Sequence, residues 1–199
     1  MVRAIVLAAG ASSRMGRAKA ALPLGASGET VLARVIRGLI EGGVDDVTVV
    51  AGAHVVAVRE AMPSDRRIRL VEHAGWQNGQ LSSLIAGLDA VAEPQLEAVL
   101  VTLVDVPLVR AETVAAVLRA WRATRAPITR PVDGDRHGHP VVFDAAVFDE
   151  LRAADPRVGA KEVFAAHRAR ILDVPVTDEG AFLDLDTPGD YERALRLAE

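Results

Sequence analysis

Apolar runs of strand length alternate with amphipathic stretches of helix length along the first half of the chain. The pattern predicts strands at Ala4–Leu7, Val47–Ala51, Ile68–Val71 and Ala98–Leu103, with helices near Thr30–Ile40, His54–Ala61, Leu81–Val91 and Ala111–Ala120. Strands that are apolar on both faces belong between helix layers. The βαβα order therefore implies a three-layer α/β/α sandwich around a mostly parallel, Rossmann-like sheet with right-handed crossovers. After Arg125 the rhythm changes. Pro127–Pro131 and His139–Phe143 flank the polar, glycine-bearing stretch Asp133–Gly138, which predicts an irregular hairpin. Helices near Ala145–Ala153 and Ala160–Arg168, a short strand near Ile171–Val174 and a closing helix after Pro188 complete the expected order.

Composition narrows the setting. With 199 residues, half of them hydrophobic and a quarter charged, the chain is expected to bury one core in one domain spanning residues 1–199. A formal charge of −4, with both signs mixed along the chain, leaves no electrostatic footprint for nucleic acid or an anionic membrane surface. The absence of cysteine removes disulfides, thiolate zinc sites and cysteine nucleophiles together. The chain opens directly into a strand-like run without a basic leader, and no apolar run is long enough to span a bilayer, so a cytoplasmic location is expected.

Candidate chemistry begins at the end of the first strand. Between Ala8 and Lys19 lie small residues that let the backbone approach a phosphate, together with three cations, Arg14, Arg17 and Lys19. An open parallel sheet binds its ligands in the crevice outside such strand ends. The loop is neither a dinucleotide fingerprint nor a P-loop: Gly10 has no glycine two residues on, and Gly16 is followed by Arg17 rather than Lys-Ser or Lys-Thr. Asp105 ends the most continuous apolar strand, with Pro107 just beyond, and a carboxylate there suits Mg²⁺, which takes hard oxygens and substrate phosphates. In Asp184-Leu185-Asp186-Thr187-Pro188, the two acids share one side of an extended segment, while Thr187 and Pro188 read as N-cap and first helical residue. Ser82 and Ser83 fall near a helix N-terminus, where hydroxyls and free N–H groups suit either capping or an anion. Five histidines show no metal-like spacing, which argues against zinc. Trp76 and Trp121 read as packing residues.

The segment Leu7-Ala8-Ala9-Gly10-x-Ser12-x-Arg14-Met15-Gly16-x-x-Lys19 resembles the signature of the MobA-like nucleotidyltransferases, and its Ala9-Gly10 form is similar to the molybdenum cofactor cytidylyltransferase branch. Gly79-x-x-Ser82-Ser83-Leu84, Asp105-x-Pro107, Gly138-His139-Pro140-Val141 and Asp184-x-Asp186-Thr187-Pro188-x-Asp190 resemble further family motifs in family order. The resemblance implies that Leu7, Ala8, Ala9, Gly10, Ser12, Gly79, Ser82 and Ser83 contact the nucleotide, and that Arg14 and Lys19 neutralise the triphosphate and departing pyrophosphate. It implies Asp105 and Asp186 as ligands of Mg²⁺, and His139 as a residue beside the acceptor. Val104 and Ala20-Ala21 depart from the family pattern, where relatives commonly carry a smaller residue and bulkier leucines respectively. The expected reaction transfers CMP from CTP to the phosphate of molybdenum-bound molybdopterin, with a molybdoenzyme as client of the product. Alternatives on the same scaffold are a GTP-using guanylyltransferase or a sugar- or alcohol-phosphate nucleotidyltransferase; one of another class is a non-catalytic nucleotide-binding regulator or cofactor chaperone.

Overall fold

Along β1 (Val2–Ala8) every residue is buried, and alternate residues face opposite helix layers. Ala4, Val6 and Ala8 join a core shared with α1 (Val31–Glu41), α2 (Val55–Ala61) and α4 (Ala111–Thr124). Ile5 and Leu7 join a second core with α3 (Gln80–Val91), α5 (Phe148–Ala153) and α6 (Lys161–Ala166). Period-two alternation inside an apolar run thus divides one strand between two layers, as a three-layer sandwich requires. A computed structural model describes residues 1–25 and 28–198.

The sheet has eight strands. Besides β1 they are β2 (Val47–Ala51), β3 (Ile68–Glu72), β4 (Ala98–Leu103), β5 (Ile128–Asp133), β6 (Arg136–His137), β7 (Val141–Asp144) and β8 (Ile171–Pro175), in the order β3-β2-β1-β4-β7-β5-β6 with β8 paired to β5. The pairs β1–β2, β1–β4, β2–β3 and β5–β8 are parallel; β7 runs against both β4 and β5. The expected hairpin is present: Val132 pairs with His137 and Asp133 with Arg136 around Gly134-Asp135, before β7 returns along β5.

Most predicted boundaries lie within a residue or two of the observed ones. Helix α4 runs beyond the expected end at Ala120, because Trp121 is 1% exposed and forms its last core contact. It stops at Arg125, in the left-handed conformation at φ 52°, whose N–H donates to the Trp121 carbonyl. The expected Ala145–Ala153 helix instead opens with a 3-10 turn at Ala145–Val147. The final helix, α7 (Pro188–Ala198), begins as the Thr187-Pro188 signal indicates, with the Thr187 and Asp190 side chains capping each other's backbone N–H.

A third, smaller cluster of Leu22, Leu24, Val31, Leu183, Leu185 and Ala194 fastens the segment after Lys19 to the segment before α7. The C-terminal arm is seated by close backbone approach: a Cβ on Gly180 would lie 2.0 Å from the Leu108 carbonyl oxygen. Gly180→Ala should therefore destabilise the protein by about 1–3 kcal/mol, the usual cost of overpacking. Chemical denaturation measures this directly, and a variant as stable as the parent would contradict the seating.

Candidate active site

Parallel pairing in register brings the carboxyl ends of three strands to one side. Leu7 pairs with Leu103 and Ala8 with Ala51, and the Val104 N–H extends the ladder to the Leu7 carbonyl at 3.1 Å. From these ends leave the Gly10 loop, the Gly52 turn and the Asp105 turn, enclosing a cavity of about 370 Å³. The loop closes on itself: the Ser12 carbonyl accepts from the Met15 N–H, and Ser12 Oγ accepts from the Lys19 N–H at 3.3 Å. Gly16 takes φ 67°, a left-handed turn that glycine adopts without Cβ strain.

Lys19 emerges from this loop only 9% exposed, and its Nζ donates to Asp105 Oδ2 at 3.0 Å and to Asp186 Oδ1 at 2.9 Å. Arg14 meets the other oxygen of Asp186 at 3.1 Å from the solvent side. Asp186 reaches the cluster because Leu185 is buried and its N–H donates to the Asp105 carbonyl at 2.8 Å, docking the C-terminal arm beside the β4 end. Burial pulls the Lys19 pKa down, but the hydrogen bond to Asp186 and the charge of Asp105 outweigh it and leave the pKa raised. The hydrogen bond from Lys19 holds Asp186 below the usual carboxylate value against some desolvation, with help from the Lys19 and Arg14 charges. Asp184 is pushed up, first by desolvation and then by the neighbouring charges of Asp105 and Asp186.

This donor set suits a divalent cation. Asp105 Oδ1 is buried without a hydrogen-bond partner, and Asp184 is raised first by desolvation and then by the charges of Asp105 and Asp186. No three acidic or histidine side chains converge on a metal site among the described residues. A cation here would rest on two carboxylates, Asp105 and Asp186, with the remaining ligands supplied by phosphate oxygens and water, an arrangement typical of Mg²⁺.

The structure brings Leu7, Ala8, Ala9, Gly10, Ser12, Lys19, Gly79, Ser83 and Asp105 to the cavity wall. Arg14 and Asp186 stand at the charge cluster but do not line that cavity. Ser82 is turned away: its hydroxyl donates to the Gly79 carbonyl at 2.8 Å and lies 3.0 Å from His73 Nε2, so it secures the start of α3. His139 lies on a neighbouring cavity. Sequence reasoning overlooked His54, whose Nε2 donates to the Ala11 carbonyl at 2.8 Å, and gave Trp76 only a packing role. Both line the cavity. Trp76 packs so closely on Gly52 that a Cβ there would lie 2.5 Å from the Trp76 Cβ. The signal for this was Gly52 itself, a glycine at a strand's carboxyl end within an α/β order.

An open, mostly parallel sheet that presents a glycine loop, a buried lysine and paired carboxylates at its strand ends defines an enzyme of the nucleotidyltransferase class. The chain belongs to the MobA-like NTP transferase domain family, which matches residues 4–171. It is 32% identical over 201 residues to the nicotine blue oxidoreductase of Paenarthrobacter nicotinovorans, covering 98% of this chain and 96% of that one. It is 32% identical over 198 residues to a probable molybdenum cofactor guanylyltransferase of Mycobacterium avium, covering 98% and 94%. The crystal structure of Rv0371c from Mycobacterium tuberculosis H37Rv superimposes with a TM-score of 0.82 at 30% identity, covering 98% of each chain. A second structure of Rv0371c, in complex with manganese, gives a TM-score of 0.76.

Lys19→Met should lower stability near neutral pH by about 1–3 kcal/mol, because Asp105 and Asp186 lose their shared donor. Asp186, depressed below 3.8, contributes stability above that value and loses it in acid. Lys19, raised above 10.5, contributes below that value and loses it in alkali. The deficit of the variant should therefore be full between about pH 5 and 10 and shrink as the pH falls below 3.8 through the lower folded-state value of Asp186. Denaturation curves across that range test it, and a deficit independent of pH would contradict the charge bridge.

Proposed function

We propose that the protein transfers a nucleotidyl group from GTP to the phosphate of a molybdopterin-type acceptor, releasing pyrophosphate. The observation that carries this is the Lys19 bridge between Asp105 and Asp186 at the mouth of a cavity walled by the Ala8–Ser12 backbone. The CTP expectation, which rested on Ala9-Gly10, gives way to GTP, because a relative 32% identical across 98% of the chain is named a guanylyltransferase. The reaction belongs in the cytoplasm, with a molybdoenzyme as client.

In this reading an acceptor phosphate oxygen forms a bond to the α-phosphorus, and the bond from that phosphorus to the bridging oxygen of the β-phosphate breaks. No general base is required, since the attacking phosphate is already an anion. The Ala8–Ser12 backbone places the nucleotide, and the neighbouring cavity places the acceptor across the shared wall of Leu7, Gln80 and Leu103. Lys19 and Arg14 oppose the charge that gathers on pyrophosphate. Mg²⁺, held by Asp105 and Asp186, would neutralise phosphate charge and favour the in-line arrangement.

Another reading, reduction of an aromatic compound, draws on the relative named nicotine blue oxidoreductase. It makes no use of Lys19, Asp105 and Asp186. Pyrophosphate release with GTP, CTP, ATP and UTP, with and without molybdopterin, separates these readings. Release should require the acceptor and run fastest with GTP, and Asp105→Asn should reduce kcat by about 10²–10³-fold, the usual effect of losing one electrostatic contact to a transition state. No release with any nucleotide, joined to oxidation of a reduced nicotinamide by nicotine blue, would overturn the transferase assignment.

A further inference from the structure

The loop that walls the nucleotide cavity carries one residue in a costly conformation. Ser12, which lines the cavity, takes φ 49°. That is the left-handed region, where a residue with a Cβ is uncommon and persists only when its surroundings fix it.

The angle φ is the rotation between the peptide entering a residue and the rest of that residue, so it is fixed when both sides are held. After Ser12 the hold is local: its carbonyl accepts from the Met15 N–H at 3.0 Å, and its Oγ accepts from the Lys19 N–H at 3.3 Å. Before Ser12 the hold comes from another element. The Ala11 carbonyl accepts from His54 Nε2 at 2.8 Å. His54 stands at the N-cap of α2, yet its side chain makes no capping bond there and reaches across 43 residues of sequence to the loop instead. Beside it the Ala53 N–H donates to the Ala9 carbonyl at 3.1 Å, and a Cβ on Gly52 would lie 2.7 Å from that oxygen. The turn after β2 thus grips the loop at two alternate carbonyls.

Carbonyls held on one side place amides on the other. In a trans peptide the C=O and the following N–H point in opposite directions, and both of these peptides are trans. The N–H groups of Gly10 and Ser12 therefore face away from the turn after β2, and neither donates to a protein acceptor among the described residues. Unpaired amides in a loop with a left-handed residue are donors suited to an anion.

We propose that His54 is a positioning residue: through the Ala11 carbonyl it holds Ser12 left-handed and so aims the Ser12 N–H for a phosphate oxygen. The hold on Ser12 stands on the geometry alone; that a nucleoside triphosphate makes use of it rests on the function proposed above.

Three variants of the full chain test this. His54→Leu removes the donor, His54→Asn shortens it, and His54→Gln keeps an amide N–H near the reach of Nε2. In a crystal structure of ligand-free His54→Leu, Ser12 should leave the left-handed region, and φ still near 49° would overturn the proposal. In equilibrium titrations, MgGTP and magnesium tripolyphosphate should each bind His54→Leu and His54→Asn about tenfold more weakly than the parent, the range for one hydrogen bond, and His54→Gln within about threefold of it. A loss confined to MgGTP would make His54 a contact of the nucleoside and overturn the positioning role. Equal affinities throughout would overturn it too, as would a His54→Gln variant no better than His54→Leu, or a parent that binds neither probe. Should His54→Leu fail to fold, His54→Asn carries both measurements. With transfer active, His54→Leu should raise KM for GTP and leave kcat and the KM for the acceptor unchanged. His54-dependent tripolyphosphate binding without pyrophosphate release in the assay above would remove the transferase reading and leave the role of His54 standing.

Discussion

The candidate site depends on one interaction, the ammonium of Lys19 held between Asp105 and Asp186. Three segments distant in sequence meet there: the loop after β1, the turn after β4 and the arm before α7. Each arrives for a different reason. The loop is shaped by Ser12 and Gly16, the turn by the register of β4 against β1, and the arm by buried Leu183 and Leu185. The bridge is the polar counterpart of the small apolar cluster beneath it. An ion pair of this kind adds little net stability by itself, but removing one partner leaves charges that repel. It therefore acts mainly to fix where the three segments stand.

The fold was legible in the sequence wherever burial on both faces made a strand continuously apolar, as in Val99–Leu103, and wherever a capping pattern marked a helix, as at Thr187-Pro188. The charged residues of the site were legible too, because Lys19, Asp105 and Asp186 sit at strand ends and in patterned segments. What escaped was set by tertiary contact. Trp76 is ambiguous in one dimension, being an aromatic residue in a polar turn, and it becomes a cavity wall only because Gly52 admits it. His54 gains its place from a hydrogen bond to the Ala11 carbonyl across 43 residues. Ser82 and Ser83 are adjacent in sequence and alike in chemistry, but a helix turns them about 100° apart, so Ser82 bonds to the Gly79 carbonyl and His73 while Ser83 faces the cavity.

The two cavities divide the chemistry by surface type. The first offers backbone and charge, suited to phosphates; the second offers aromatic walls with cations, Phe143 and Phe164 beside Arg130 and Lys161. Their shared wall is formed by Leu7 and Leu103 at the end of the sheet and by Gln80, the first residue of α3, while Lys19 and Asp105 line only the first cavity.

The charge balance at that meeting point constrains how a nucleotide enters. Arg14 and Lys19 bring two positive charges against three carboxylates, Asp105, Asp184 and Asp186, an excess of one negative charge. A triphosphate carries several more, and like charges a few ångströms apart in a partly desolvated cleft repel by several kcal/mol. Lys19 cannot meet a phosphate at full strength while both carboxylates hold it. Entry is therefore favourable only for a triphosphate whose charge is already partly neutralised, or when cations compensate Asp105 and Asp186 as Lys19 turns from them to the ligand. In the proposed reaction, the bridge would couple phosphate binding to cation binding, because freeing Lys19 for a phosphate leaves Asp105 and Asp186 to be compensated.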